Sequence, residues 1–395
     1  MDPAVCRAWW SRAQGLDGSL ANATPAQVLE RSGWARSVGG DGPYLTLFSR
    51  ARIDRATADQ AALDLAIHEL PAARGCTYIV PSNDFALALK VGQPFAGADL
   101  KTAASLGVPE KEIDQLAGAV LSALATGPLD PDGIKHRVGS AVRNLGEAGK
   151  KKGLTTTLPV ALGRLQSAGA IRRVALNGRL ASQRLGYTLW RPNPLDALAL
   201  SAGEAATELA RRFFRWVGPA TVKEFQWFSG LGVKAAKAAA EPLALAPVEP
   251  DTDLLLLPDD RTAFRAFKPP TQPRYALVSS LDAISATRRN VAWLVDAGDL
   301  ARKVFGQRGL QQLGGISDLP SHAILDRGRL IGLWEYDLAS QSIVWATFGV
   351  RDKKLEATVK ETEAFVRDQL GDARSFSLDS PKSRAPRIAA LRRSR

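Results

Sequence analysis

GLTTTLPVALGRLQSAGAIRRVALNGRLASQRLGYTLW, residues 153–190, decides the fold. Thr155, Thr156 and Thr157 are residues that cap helices, and Leu158, Ala161, Leu162 and Leu165 follow at helical spacing up to Gly169, a residue suited to a helix stop. Ile171 to Val174 and Arg184 to Trp190 then alternate as extended arms, with Asn177-Gly178 near the bend, which predicts a β-hairpin. Lys150, Lys151 and Lys152 precede the helix, and Arg164, Arg172, Arg173, Arg179 and Arg184 lie along the rest. A short helix followed at once by a basic hairpin reads as a winged helix-turn-helix that meets phosphate.

The whole chain supports that direction. It has 395 residues, 45% hydrophobic and 23% charged, with a formal net charge of +12. Such a chain buries more than one core, and its charge suits a polyanion such as nucleic acid. Two cysteines, Cys6 and Cys76, make no disulfide framework, and His68, His136 and His322 lack metal-ligand spacing, so no metal or other cofactor is expected. The start, MDPAVCRAWWSRAQG, has no apolar signal core, and no run approaches the roughly 18 apolar residues of a membrane span. A monomer in the cytoplasm of a bacterium-like cell, associated with the nucleoid, is the expectation.

Outward from the opening stretch, similar patterns recur. Residues 1–104 hold helices around Trp9, Pro25 to Arg31, Tyr44 to Arg50 and Thr57 to Ala66, then two short arms, Ile67 to Glu69 and Thr77 to Val80. Residues 105–192 carry the stripe Ile113, Leu116, Val120, Leu121 and Leu124 before the basic approach and the hairpin. Residues 193–274 give helices Glu204 to Trp216, Val222 to Phe228 and Lys234 to Ala240, then strands Leu243 to Val248 and Leu254 to Leu257. Residues 275–371 form a small α+β region around Asp326-Arg327-Gly328, and 372–395 are expected to be a disordered basic tail. The fold class is α+β, with three tandem winged helix-turn-helix units.

Several stretches together resemble a known family. Ala13-Gln14-Gly15-Leu16, Arg74-Gly75-Cys76-Thr77-Tyr78-Ile79-Val80-Pro81 with Asp84, and Gly218-Pro219-Ala220-Thr221 with Trp227-Ser229-Gly230 carry the likeness. Leu256-Leu257-Pro258-Asp259-Asp260 and Asp326-Arg327-Gly328-Arg329-Leu330-Ile331-Gly332-Leu333-Trp334 extend it. Their order is similar to that in winged-helix proteins of the AlkZ/YcaQ type, the alkylpurine DNA glycosylases and their relatives. The resemblance implies a C-shaped, basic surface around double-stranded DNA. It also implies hydrolysis of the N-glycosidic bond of an N3- or N7-alkylated or crosslinked purine, whose base leaves readily once water is oriented.

The family orients that water with a Gln-x-Gln or Gln-x-Asp pair after the second helix. Those positions here are Arg36 and Val38, with Ser37 between them. Arginine offers donors only and valine has no polar atom, so neither can accept the proton of a water. Tyr78 likewise stands where the family has a histidine. Arg36 and Ser37 join Lys150, Lys151, Lys152, Thr155, Thr156, Arg164, Arg172, Arg173 and Arg179 as candidate DNA contacts. Arg36 sits in the turn Gly39-Gly40-Asp41-Gly42, read as flexible. Trp34, Trp9, Trp10, Trp216 and Trp227 read as core aromatics, and His68, Asp41 and Asp84 as satisfied or solvated groups ahead of displaced acids or bases. The Gly39-Gly40 and Gly314-Gly315 pairs lack the context of a nucleotide loop. Two functions follow: a DNA glycosylase-like repair protein, or a non-catalytic DNA-binding or regulatory protein on the same scaffold.

Overall fold

The computed structural model describes residues 2–306, 309–349 and 351–394. Helices α1 (Pro3–Ala13) and α2 (Pro25–Ser32), strand β1 (Ala35–Arg36), and helices α3 (Gly42–Ala51) and α4 (Arg55–Leu63) lead into strands β2 (Ile67–Pro71) and β3 (Thr77–Pro81). Helices α5 (Phe85–Gly92), α6 (Gly97–Ser105), α7 (Glu110–Leu124), α8 (Pro131–Val138), α9 (Gly146–Lys151) and α10 (Leu158–Ser167) precede strands β4 (Ile171–Ala175) and β5 (Leu185–Leu189). Next come α11 (Ala202–Val217), α12 (Val222–Ser229), α13 (Val233–Ala240), β6 (Ala246–Pro247), β7 (Leu255–Leu256) and α14 (Pro258–Ala266). Strand β8 (Tyr275–Val278), helix α15 (Ala283–Ala286), and strands β9 (Lys303–Gly306), β10 (Gly309–Gln312), β11 (His322–Asp326), β12 (Arg329–Asp337) and β13 (Ser342–Thr347) follow. Helices α16 (Lys353–Phe365) and α17 (Pro381–Arg393) complete the described chain. The mix of helices with small antiparallel sheets is the α+β class expected. The chain divides into two compact units, one of residues 1–68, 78–82 and 206–395, the other of 69–77 and 83–205.

In the second unit the stripe on α7 is buried as its spacing predicts, packing Ile113, Leu116, Val120 and Leu124 against Leu158, Leu162, Leu165 and Ile171. Strands β4 and β5 pair with Ile171 opposite Leu189 and Arg173 opposite Tyr187. Asn177 Oδ1 accepts from the Arg179 N–H at 3.1 Å, and Gly178 takes φ +69°, so the predicted bend lies inside a loop spanning 176–184. The threonines depart from expectation. Thr157 has helical φ and ψ, not the extended geometry of a cap, and makes no side-chain capping bond. Its Oγ1 instead accepts from the Arg143 N–H at 3.0 Å, while Asn144 and Thr156 form an antiparallel bridge. The run is edge backbone, because the neighbouring segment 143–145 offers its donors first. Lys150 and Lys151, expected in a loop, belong to α9.

In the first unit, capping boxes start α2 (Thr24 with Gln27) and α12 (Thr221 with Glu224). Trp34, Trp10, Trp216, Phe213, Phe225 and Phe228 are all buried. Trp9 is buried too, edge-on to Phe264, while Trp227 is half-buried under the Arg289 guanidinium, 4.7 Å from its ring centre. Gln14, a residue of the family-like stretch, joins three helices. Its Nε2 donates to the Trp216 carbonyl at 2.8 Å and its Oε1 accepts from Arg50, which also grips Asp282 through two bonds of 2.7 and 2.8 Å. Both partners of that ion pair are wholly buried, so losing either one strands a charge.

Strands β13, β12, β11 and β8 form one antiparallel sheet in that order. The segment after Asp372 is not a disordered tail. It ends in helix α17, with Ser380 as its cap, and Ile388 and Leu391 join the hydrophobic core. Few apolar residues suffice because ion pairs bury the rest: Arg384 holds Asp372 at 2.7 and 2.9 Å, and Arg387 holds Glu335 at 2.6 Å and Asp379 at 2.7 Å. Arg395 lies outside the described residues.

Candidate functional site

Strand β1 pairs with β3 so that Ala35 faces Ile79 and Arg36 faces Tyr78. Beneath them Trp34 is 3% exposed, its ring 6.1 Å from Tyr78 and 5.4 Å from Trp216, and Phe228 closes on Tyr78 from another side at 6.1 Å. Trp34 is therefore core. Arg36 is half-buried and lays its guanidinium over the Tyr78 ring, 5.3 Å from the centre, a cation–π arrangement. Ser37 is 5% exposed and Val38 half-buried.

The glycine-rich turn that follows is clamped, not flexible. The Val38 carbonyl accepts from the Ser377 N–H at 2.9 Å, and the Asp41 N–H donates to the Arg374 carbonyl at 2.8 Å. Asp41 Oδ2 accepts in return from the Arg374 N–H at 3.0 Å. A Cβ on Gly40 would stand 2.4 Å from the Arg374 oxygen, so the close approach of two backbones requires glycine there. Asp41, 4% exposed, is a buried carboxylate next to the motif positions. The glycine cluster reads as flexible in sequence because the partner that it closes against is 333 residues away and has no local signature. His68 and Asp84 are 7% and 2% exposed and fall in different units.

The basic candidates of the second unit are not equivalent. Arg164 is held by Glu110 and Asp114, each at 2.8 Å, which cancels much of its charge. Lys150 meets Glu147 at 2.6 Å with both side chains mostly in water, and Lys152 Nζ donates to Ser105 Oγ at 2.7 Å. Lys151 and Thr155 are exposed, and Thr156 is half-buried. Arg173 lies 3.8 Å from Glu69, and burial holds the Arg172 guanidinium below the usual arginine range. Arg179 sits in the hairpin loop with exposed Arg184. From residue 148 to 195 the sequence contains no Asp or Glu, so the acids that answer these cations come from outside the stretch.

Among the described residues no cluster of three His, Cys, Asp or Glu could hold a metal ion, and no helix is long and apolar enough to cross a membrane. The structure of the Streptomyces sahachiroi DNA glycosylase AlkZ is similar in fold, with a TM-score of 0.69 at 18% identity over 95% of this chain and 98% of that one. Comparison with curated proteins gives no match. The family model described as DNA glycosylase AlkZ-like matches residues 36–376, which takes in Arg36, Tyr78, the hairpin, Trp216 and Phe228, and the four-stranded sheet. The chain belongs to the AlkZ-like DNA glycosylase family.

Proposed function

We propose that this protein binds double-stranded DNA at alkylated or crosslinked purines and does not hydrolyse them through the family's water-holding pair. The observation that carries this is the Arg36 guanidinium stacked on Tyr78. A group that only donates occupies one position of the pair, an apolar side chain the other, and the ring of Tyr78 fills the neighbouring space. The acid-free basic stretch 148–195 supplies the phosphate-facing charge. We read α7 to β5 and α11 to β7 as winged-helix units, because each ends three or more helices with a two-stranded hairpin. A monomer on nucleoid DNA is the corresponding working state.

A second reading keeps glycosylase activity with Asp41 as the group that holds the water. Its support is the buried carboxylate five residues beyond Arg36, of which Oδ2 is engaged by backbone. The test offers the purified protein duplexes carrying N7-methylguanine, N3-methyladenine or a purine crosslink, then cleaves abasic sites with alkali. The expected result is salt-sensitive binding without strand cleavage. Cleavage that disappears in Asp41→Asn would install the second reading, and absence of any duplex binding would remove both.

A further inference from the structure

The segment that clamps the motif turn also presents two large apolar side chains to water. Phe376 is 38% exposed and Leu378 is 80% exposed, the highest value among the large hydrophobic residues described. The turn that bears them is fixed from below. The Ser375 N–H donates to Asp379 Oδ2 at 3.1 Å, the Asp379 N–H to the Phe376 carbonyl at 3.0 Å, and the Ser380 N–H to the Leu378 carbonyl at 2.9 Å. Asp379 is fully buried and bonded to Arg387, and Ser375 Oγ meets Ser280 Oγ at 2.8 Å. A leucine held this far out on so well anchored a turn is ordered in advance, so little further entropy is lost when it is covered.

Between the two lies Ser377, whose N–H bonds the Val38 carbonyl, so the apolar pair is physically joined to the motif turn. Cations lie on the segments that meet there: Arg36 on β1, two residues before Val38, Arg374 two residues before Phe376, and exposed Lys382 in the first turn of α17. A protein-docking surface is a broad apolar patch, commonly of several hundred Å². Two apolar side chains on a narrow turn flanked by cations match instead the size and charge of one base step with its phosphates.

We propose that Phe376 and Leu378 form a wedge that enters the base stack of duplex DNA beside Arg36 and unstacks one step. This rests on the DNA-binding reading and adds the element and the mode. The test uses the full chain with a duplex carrying N7-methylguanine next to 2-aminopurine, whose fluorescence rises when it leaves the stack. The wild-type protein should raise that signal several-fold. Leu378→Ser, and the double variant with Phe376→Ser, should reduce the rise to near the free-duplex level and weaken binding by about tenfold. Leu338→Ser, the same change at another exposed leucine of this unit, should alter neither.

Leu378 is 80% exposed, so Leu378→Ser should melt with the wild type and carries the test by itself. Binding by the wild type with no fluorescence rise, or a full rise in Leu378→Ser, overturns the wedge while DNA binding stands, and leaves the turn as a surface for a protein. No binding to any duplex overturns the DNA reading and the wedge together.

Discussion

Arg36 and Tyr78 face each other across β1 and β3 with the guanidinium on the ring. A guanidinium beside a histidine would set two cations against each other at acid pH, whereas a tyrosine face attracts it. The contact is worth about 0.5–1 kcal/mol at a half-exposed site, so Arg36→Ala should lower stability by at least that order. Arg36→Gln with Val38→Gln should do something different: it places two acceptors where the resemblance implies a water-holding pair. We expect measurable release of N7-methylguanine from duplex DNA, at least about a hundredfold above wild type by alkaline cleavage. A double variant that binds damage but stays inert would show that the loss lies elsewhere than in this pair.

Gly40 tests the clamp. Alanine there drives a Cβ into the Arg374 carbonyl, which is backbone and cannot swing away. Gly40→Ala should cost about 1–3 kcal/mol, seen as a lower apparent melting temperature. Gly298→Ala, where an added Cβ meets nothing within 4 Å, should leave it unchanged.

The lysines of α9 and its end test the phosphate contact. Their ion pair and hydrogen bond lie in water, so replacing Lys150, Lys151 and Lys152 with alanine should cost little stability. Affinity for any duplex should fall, and the slope of log K against log salt should flatten by up to about 3 if each lysine neutralises one phosphate. An unchanged slope would place the DNA on another surface.

His322 makes stability depend on pH. Its Nδ1 accepts from the Ser280 N–H at 3.0 Å, so the proton sits on Nε2, 2.8 Å from the Ala373 carbonyl. Burial pushes its pKa below 6.5, since the charged ring loses its water. A depressed histidine means that the unfolded chain binds the proton first. Its contribution is therefore fully present above about pH 6.5 and lost as pH falls below that, until the folded form also protonates. Denaturant titrations of His322→Gln should show a flatter stability profile than the wild type as pH falls below about 6.5.

What the sequence discloses here is local. The hairpin of 171–189, the α7 stripe and the capped starts of α2 and α12 follow from spacing and turn chemistry within about twenty residues, and the structure has them. Thr155 to Thr157 misled because capping and edge pairing call for the same residue type, and the partner at 143–145 decides between them. The final helix was hidden for a related reason. Arg384 and Arg387 look like a solvated basic run until Asp372, Asp379 and Glu335 are brought beneath them. At the candidate site, Arg36 and Val38 were legible through resemblance alone, and the clamp from Arg374 was not legible at all.

That clamp has a consequence in time. At roughly 5–20 residues per second, the 333 residues between Asp41 and Arg374 take about 15–70 s to synthesise. From the synthesis of residue 189 onward the basic hairpin of the second unit is available to fold, while the turn at Gly40 still has nothing to close against. A ribosome stalled before residue 374 would release a chain able to acquire its charge-bearing unit but not its site. Completion of the site thus reports synthesis past residue 374.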